Sequence, residues 1–271
     1  LKNILKQYNI EAVMPFAAFI EAGESMENPS KYFNNNSVGT LSLLDAMIET
    51  GVNNLIFSST AALYGYPDRI PIPEDSPLVP VNPYGESKLI IEKVLKWYSE
   101  IYNLKYISLR YFNAAGADEK LRTGEMHNPE THLIPLAIKA AFGELDALYL
   151  YGTDYKTKDG TCVRDYIYVG DLVDAHLLAL EYLLKEKQSN IFNLGCGIGY
   201  TVREVINIVK EITGKDFKVI ETERRPGDPE ILIASSQKIK KMLGWNPKYD
   251  LREIIKSAVD FYKKSKSIKL S

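Results

Sequence analysis

Cysteine is nearly absent from the 271 residues. Cys162 and Cys196 stand far apart and form no CxxC, which excludes a disulfide framework and a cysteine zinc site and fits a reducing cytoplasm. Histidine is as scarce, with three residues. His127 and His132 flank Glu130, but their separation matches neither the i, i+4 pair of a helical zinc site nor a zinc finger, so no metal is expected. Long apolar runs are missing too. The best, Ala12 to Ile20, is interrupted by Pro15 and is too short to cross a bilayer, and no signal-peptide pattern opens the chain. The 33 basic and 35 acidic residues leave a net charge of −2, so there is no positive field to follow a nucleic-acid backbone. The one basic cluster, Lys263, Lys264, Lys266 and Lys269, reads as a solvated helix end.

What remains is a chain that is 45% hydrophobic and large enough for one big α/β domain or two smaller ones. Leu1 to Tyr8 reads as the end of a helix and Ala12 to Ala18 as a buried strand. Helical spacing over Val38 to Glu49 ends at Gly51, where a C-cap glycine belongs. Leu55 to Phe57 is the next strand, and Asn82-Pro83 opens a helix that runs to about Tyr102. Tyr106 to Leu109 reads as a strand. Alternation then continues through Leu133 to Phe142, Leu148 to Tyr151, Tyr166 to Tyr168, Asp171 to Leu184, Ile191 to Leu194 and Thr201 to Ile212. This pattern predicts a parallel sheet covered by helices on both faces. Two long irregular stretches, Thr60 to Pro83 and Asn113 to His132, have the length of functional loops.

Chemistry concentrates at Tyr84-Gly-Glu-Ser-Lys88, which follows Ser58-Ser59-Thr60 at the end of a strand. Chance alone supplies about two Tyr-x-x-x-Lys pairs in a chain this rich in both residues. Two are present, and the other, Tyr262 to Lys266, has no strand or hydroxyl cluster before it. Helical spacing places Tyr84 and Lys88 on one face, where a cation can favour the phenolate. Thr60 sits at a strand's carboxyl end, where open α/β sheets bind ligands, and can relay a proton to Tyr84. The nearest approach to a glycine-rich dinucleotide loop is Gly195-Cys196-Gly197-Ile198-Gly199-Tyr200, but Tyr200 occupies a position that needs a small residue, so it reads as a turn. Val163-Arg164-Asp165-Tyr166 and Arg224-Arg225-Pro226-Gly227-Asp228 each offer a guanidinium suited to a diphosphate, or to a structural ion pair.

In this order these features resemble the extended short-chain dehydrogenase/reductases, and within them the UDP-glucose 4-epimerases. The likeness covers Leu1 to Ser271 and is carried by FAAFIEAGES, YFNNNSVGT, FSSTAALYG, NPYGESK, LRYFNAAGA, DGTCVRDYIYV, NLGCGIGYTV and RRPGD. It implies a Rossmann-like, doubly wound parallel sheet over residues 1–113 and a smaller C-terminal α/β domain over 114–271 that binds the UDP-sugar. Segments around 163–194 would cross back to the first. It also implies that Tyr84 is the base at the sugar 4-hydroxyl, that Thr60 relays the proton, and that Lys88 holds the nicotinamide ribose and lowers the Tyr84 pKa. Phe16, Ala17, Ala18, Asn36 and Phe112, with Tyr84 and Lys88, would line an NAD site. Asn113, His132, Leu133, Leu150, Tyr151, Arg164, Arg225 and Asp228, with Thr60, would hold the UDP-sugar. Helices over 38–49 and 84–102 would form a homodimer interface, and the protein would act in the cytoplasm.

The chain departs from the family pattern at Pro15, at Ile20 and at Leu232, the last a position that tunes the bulk of sugar accepted. Residue 1 is Leu, and the expectation is that a preceding segment carries the glycine-rich loop, leaving Ala12 to Ala18 as an apolar edge. Two other readings follow. A 4,6-dehydratase would need an acid after Thr60, where Ala61 and Ala62 stand. A catalytically impaired UDP-sugar-binding or dimerisation module is the non-enzymatic alternative.

Overall fold

The computed structural model describes residues 1–269. In chain order the elements are α1 (Lys2–Gln7), α2 (Ala22–Glu27), α3 (Pro29–Tyr32), α4 (Gly39–Thr50), β1 (Asn54–Thr60), α5 (Pro83–Tyr102), β2 (Lys105–Tyr111), β3 (Asn113–Ala115), α6 (Leu133–Ala141) and β4 (Leu148–Tyr151). There follow β5 (Val163–Tyr168), α7 (Val169–Glu186), β6 (Asn190–Leu194), β7 (Gly199–Thr201), α8 (Val202–Thr213), β8 (Val219–Thr222), β9 (Ile231–Leu232), α9 (Gln237–Leu243) and α10 (Leu251–Lys269). A π-helical turn, Phe33–Val38, leads into α4.

These elements form two compact units. The first holds Leu1–Tyr111, Ala175–Leu194 and Ser235–Trp245; the second holds Phe112–Asp174, Gly195–Ala234 and the chain from Asn246 onward. The stretch returning to the first unit is thus Ala175–Leu194, shorter than the 163–194 read from the sequence. A second return, unforeseen, brings α9 beside β6, where Lys238 Nζ donates to Ile191 O at 2.9 Å.

In the first unit β1, β2 and β6 form a parallel sheet in that order, with Thr60 opposite Tyr111 and Tyr111 opposite Leu194. Parallel pairing therefore gathers all three carboxyl ends along one edge. Leu44 and Met47 of α4 and Ile91 and Leu95 of α5 bury against Leu55, Phe57 and Tyr106, which fixes α5 over the sheet. The helix begins as the sequence suggests. Asn82 Oδ1 accepts from Gly85 N at 2.9 Å, and Pro83 takes a first-turn position where its missing N–H does no harm.

The strand expected over Ala12 to Ala18 does not form. Val13 alone bridges Leu55, donating to Asn54 O at 3.0 Å and accepting from Ile56 N at 2.9 Å. Two residues on, where the ladder needs its next donor, Pro15 has no N–H. Its carbonyl takes the Ser58 hydroxyl instead, at 2.9 Å, and the segment is partly exposed rather than buried.

The second unit is built around β5, which pairs in parallel with β3 and β9 and antiparallel with β7; β4 and β8 form a separate parallel pair. Helices α6, α8 and α10 close its core through residues such as Ala137, Val205 and Ile255. Of the basic cluster at the chain end, Lys264 donates to Leu121 O at 3.0 Å and Lys266 pairs with Glu144, so it is more tied down than a solvated helix end. The Lys269 side chain lies outside the described residues.

Gly85, inside the Tyr84 to Lys88 motif, is a packing requirement: a Cβ there would stand 2.6 Å from Ala62 O, a backbone atom just past Thr60. Gly85→Ala is expected to lower stability by about 1–3 kcal/mol through overpacking and to push Tyr84 away from Thr60. Denaturant melts together with turnover measurements check this; an unchanged variant would show that the contact relaxes freely.

Candidate active site

Tyr84, Lys88 and Thr60 are brought together by the first unit. Thr60 ends β1 and its hydroxyl caps the following turn, accepting from Ala62 N at 3.1 Å. Tyr84, in the first turn of α5, is close enough to that threonine for the Thr60 side chain to favour its phenolate, and the Tyr84 ring meets Tyr32 edge-on at 6.4 Å. One turn along, Lys88 is 5% exposed and donates to Ser58 O at 3.0 Å, with its ammonium 5.2 Å from the Phe57 ring centre.

Burial decides the acidity of both groups. It lowers the Lys88 ammonium to about 8. It raises the Tyr84 phenol above its ordinary range, opposed by the Thr60 side chain and reinforced by the charge of Glu21. In this arrangement the Lys88 ammonium is directed at a backbone carbonyl of β1.

Next to this group, Asn36 is buried in the π-helical turn and holds the 16–19 segment as a strand partner would. Its side chain accepts from Phe19 N at 3.0 Å and donates to Phe19 O at 2.9 Å, and also reaches Ser87 at 3.2 Å. Phe16 is 66% exposed and lies against His176, with ring centres 5.3 Å apart; Ala17 is exposed and Ala18 half-buried. His176 contacts the Tyr111 hydroxyl at 2.5 Å, and that hydroxyl reaches Ser58 Oγ at 3.0 Å. Nothing in the sequence singles out His176, a lone histidine in a helix. Tyr111 was visible only as part of the LRYFN string.

The remaining expected residues belong to the second unit. Phe112 is buried and Asn113 exposed. Arg164 is buried, donates to Val163 O and Pro229 O at 2.7 Å each, and pairs with Asp228. Arg225 stacks on Tyr151, its guanidinium carbon 3.9 Å from the ring centre. Leu150 belongs to the core, and Leu133, the first residue of α6, packs against it. His132 Nδ1 lies 2.9 Å from Glu130, and His127 pairs with Glu125. The loop thus brings Glu125, His127, Glu130 and His132 within 4.8 Å of one another, which their linear spacing did not suggest. Each histidine has a carboxylate partner within the group.

The turn Gly195 to Gly199 proves to be an anion cradle for a carboxylate of the protein itself. Asp165 accepts from Cys196 N at 2.7 Å, Gly197 N at 2.9 Å and Ala234 N at 3.0 Å, and a Cβ on Gly195 would stand 2.5 Å from Asp165 Oδ2. Close approach to this side chain explains the glycine.

The family model described as GDP-mannose 4,6 dehydratase matches residues 1–258. A UDP-glucose 4-epimerase of Halalkalibacterium halodurans is 48% identical over 264 residues, 97% of this chain and 79% of that protein. The chain belongs to the UDP-glucose 4-epimerase family. Its Rossmann-like α/β fold is shared with the Brucella ovis epimerase solved with NAD, at a TM-score of 0.92 and 48% identity over 96% of this chain and 81% of the other. The Bifidobacterium longum epimerase, solved with NAD+ and UDP, gives 0.94 at 36% identity over 98% and 80%.

Burial lifts the Asp165 carboxyl to about 6 despite its three N–H partners. Between the unfolded value of 3.8 and about 6, the folded chain keeps a proton that the unfolded chain releases. The resulting stabilisation is complete below 3.8 and lost as pH rises through 6. Asp165→Asn should abolish that slope and, by setting an NH2 among N–H donors, lower stability at pH 7 by about 1–3 kcal/mol. Denaturant melts from pH 4 to 7 test this, and a variant that keeps the slope would assign it to another group.

Proposed function

We propose that the protein interconverts UDP-galactose and UDP-glucose, with NAD as the transient hydride acceptor at carbon 4 of the sugar. The observation that carries this reading is the assembly of Thr60, Tyr84 and Lys88 at the carboxyl edge of a parallel sheet in a chain of the epimerase family. NAD in the Brucella ovis structure and NAD+ with UDP in the Bifidobacterium longum structure support the choice of ligands.

The donor set fits a nicotinamide ribose. Lys88 gives one of its three N–H groups to Ser58 O and has others to offer a diol, while Tyr84 stands one helical turn away. Bound NAD would supply the hydride acceptor, and its positive charge would favour the Tyr84 phenolate. Tyr84 takes the proton of the 4-hydroxyl, and Thr60, beside Tyr84, orients that hydroxyl and passes the proton between them. Lys88 and Tyr84 share one face of α5, so holding the ribose also sets where the reacting carbon meets the base. In the second unit, Arg164 and Arg225 suit the diphosphate, and Asp228 fixes the Arg164 fork. Asn113, His132 and Tyr151 are the further contacts proposed for the sugar nucleotide, with Leu133 and Leu150 shaping the wall behind them.

A dehydratase needs an additional acid to eliminate water. Ala61 and Ala62 follow Thr60 and offer none, so epimerisation is favoured even though the matching family model is described as a dehydratase. An impaired binding module draws no support from the placement of Thr60, Tyr84 and Lys88 in one unit. For the homodimer, the observation in favour is α5 itself, whose Trp97 and Ile101 stand one turn apart at 62% and 66% exposure. Action in the cytoplasm accords with two free cysteines, and no helix among the described residues is long and apolar enough to cross a membrane.

Tyr84→Phe keeps the ring and removes the proton acceptor. Conversion of UDP-galactose, followed by a coupled UDP-glucose assay, should fall at least 1,000-fold, on the order expected for losing the general base together with the hydroxyl contact. UDP affinity by calorimetry should change less than about threefold. Conversion at the parental rate would remove Tyr84 from the mechanism.

A further inference from the structure

Helix α5 presents a third group on the face that carries Tyr84 and Lys88. Residues 84, 88 and 92 recur at intervals of four, and opposite them lie the last three residues of β1. Each side chain engages one of the three. Tyr84 lies by Thr60, whose side chain favours its phenolate, Lys88 donates to Ser58 O at 3.0 Å, and Glu92 accepts from Ser59 Oγ at 2.7 Å. The first two contacts belong to the reacting groups. The third does not.

Glu92 is gripped by Arg110 of β2 in a two-pronged pair, with Nε to Oε1 at 3.1 Å and Nη2 to Oε2 at 2.6 Å, and the two side chains are 5% and 2% exposed. The guanidinium then reaches past the pair, donating through Nη1 to the Tyr64 hydroxyl at 2.8 Å and to Glu74 O at 3.1 Å. Tyr64 in turn donates to Asn193 of β6 at 2.7 Å. One planar cation therefore ties α5 to β1, to the loop after Thr60 and to the third strand. Its fixed fork permits little rotation or slide of the helix.

We infer that Glu92 and Arg110 are positioning residues for the epimerase reaction, holding the Tyr84 and Lys88 turns of α5 in register with Ser58 and Thr60. The inference rests on the proposed role of Tyr84 as proton acceptor. Lys88 stands one turn and Tyr84 about two turns from the anchor, so release of Glu92 lets the first two turns of α5 drift and Tyr84 draw away from Thr60. The Thr60 side chain favours the phenolate, so drawing the two apart moves the base to higher pH.

The deciding variant is the double replacement Glu92→Leu with Arg110→Met, because an apolar pair of similar volume can preserve packing where a single replacement would strand a buried charge. With cooperative unfolding retained, kcat for UDP-galactose conversion should fall at least tenfold, KM should stay within about threefold, and the acidic limb of the kcat–pH profile should move upward by half a pH unit or more. A folded double variant with parental kcat and pH profile would overturn the inference. Should the double variant not fold, Ser59→Ala decides: it leaves the ion pair intact and removes only the link from Glu92 to β1. It should lower kcat threefold to tenfold and shift the acidic limb in the same direction; a parental profile would again overturn the inference. Tyr84→Phe run alongside separates the two readings. If it is active, the role of Tyr84 falls whatever the other variants show; if it is inactive while the others behave as the parent, only the positioning role falls.

Discussion

The geometry of this protein's reacting groups hangs on a charge pair that water cannot reach. Removing Glu92 and Arg110 from solvent carries a desolvation penalty of several kcal/mol per ion, and the bidentate contact with its flanking hydroxyls and carbonyl is what offsets it. Such a pair adds little net stability compared with a well-packed apolar substitute. Its effect is directional: a guanidinium fork accepts a carboxylate in one plane, while leucine against methionine would tolerate sliding. An enzyme that must hold a phenol within hydrogen-bond reach of a reacting hydroxyl gains from that intolerance.

The same logic of buried anions explains the glycine-rich turn in the second unit. Backbone N–H groups in a tight turn make a concavity for negative charge, and a bound phosphate is one way to fill it. Here Asp165 fills it from within, using Cys196, Gly197 and Ala234 as donors. A sequence pattern records that the backbone must approach something closely, and it cannot say whether that something is a ligand or a side chain 30 residues away. Tyr200, too large for helix–strand packing in a dinucleotide loop, was the signal that separated the two cases in the sequence.

Legibility followed the range of the interaction. The start of α5 at Asn82-Pro83, the end of α4 at Gly51 and the one-turn spacing of Tyr84 and Lys88 along a helix are set within a few residues, and all were readable. What failed or went unseen depended on residues distant in the chain. The Ala12 to Ala18 strand was read from apolar content, but whether it pairs is decided by β1, and Pro15 withholds the donor that β1 would need. The second return over Ser235–Trp245, the grouping of His127 with His132, and the role of Arg110 all require knowing which segments meet. Glu92 could have been found: it continues the four-residue spacing of Tyr84 and Lys88, and a glutamate on the inner face of an amphipathic helix calls for a partner.

The Tyr84 to Lys88 spacing also shows how a correct motif can suggest an incomplete electrostatic account. Two groups one turn apart on a helix imply a cation beside a phenol, and hence a lowered phenol pKa. The Lys88 ammonium instead caps a carbonyl of β1, and burial leaves Tyr84 harder to ionise and Lys88 easier to neutralise than either would be in water. Both shifts have the same origin, a site built to exclude water, and both are relieved by the same event. A ligand that brought hydroxyls to Lys88 and positive charge to Tyr84 would favour the charged form of each group at once.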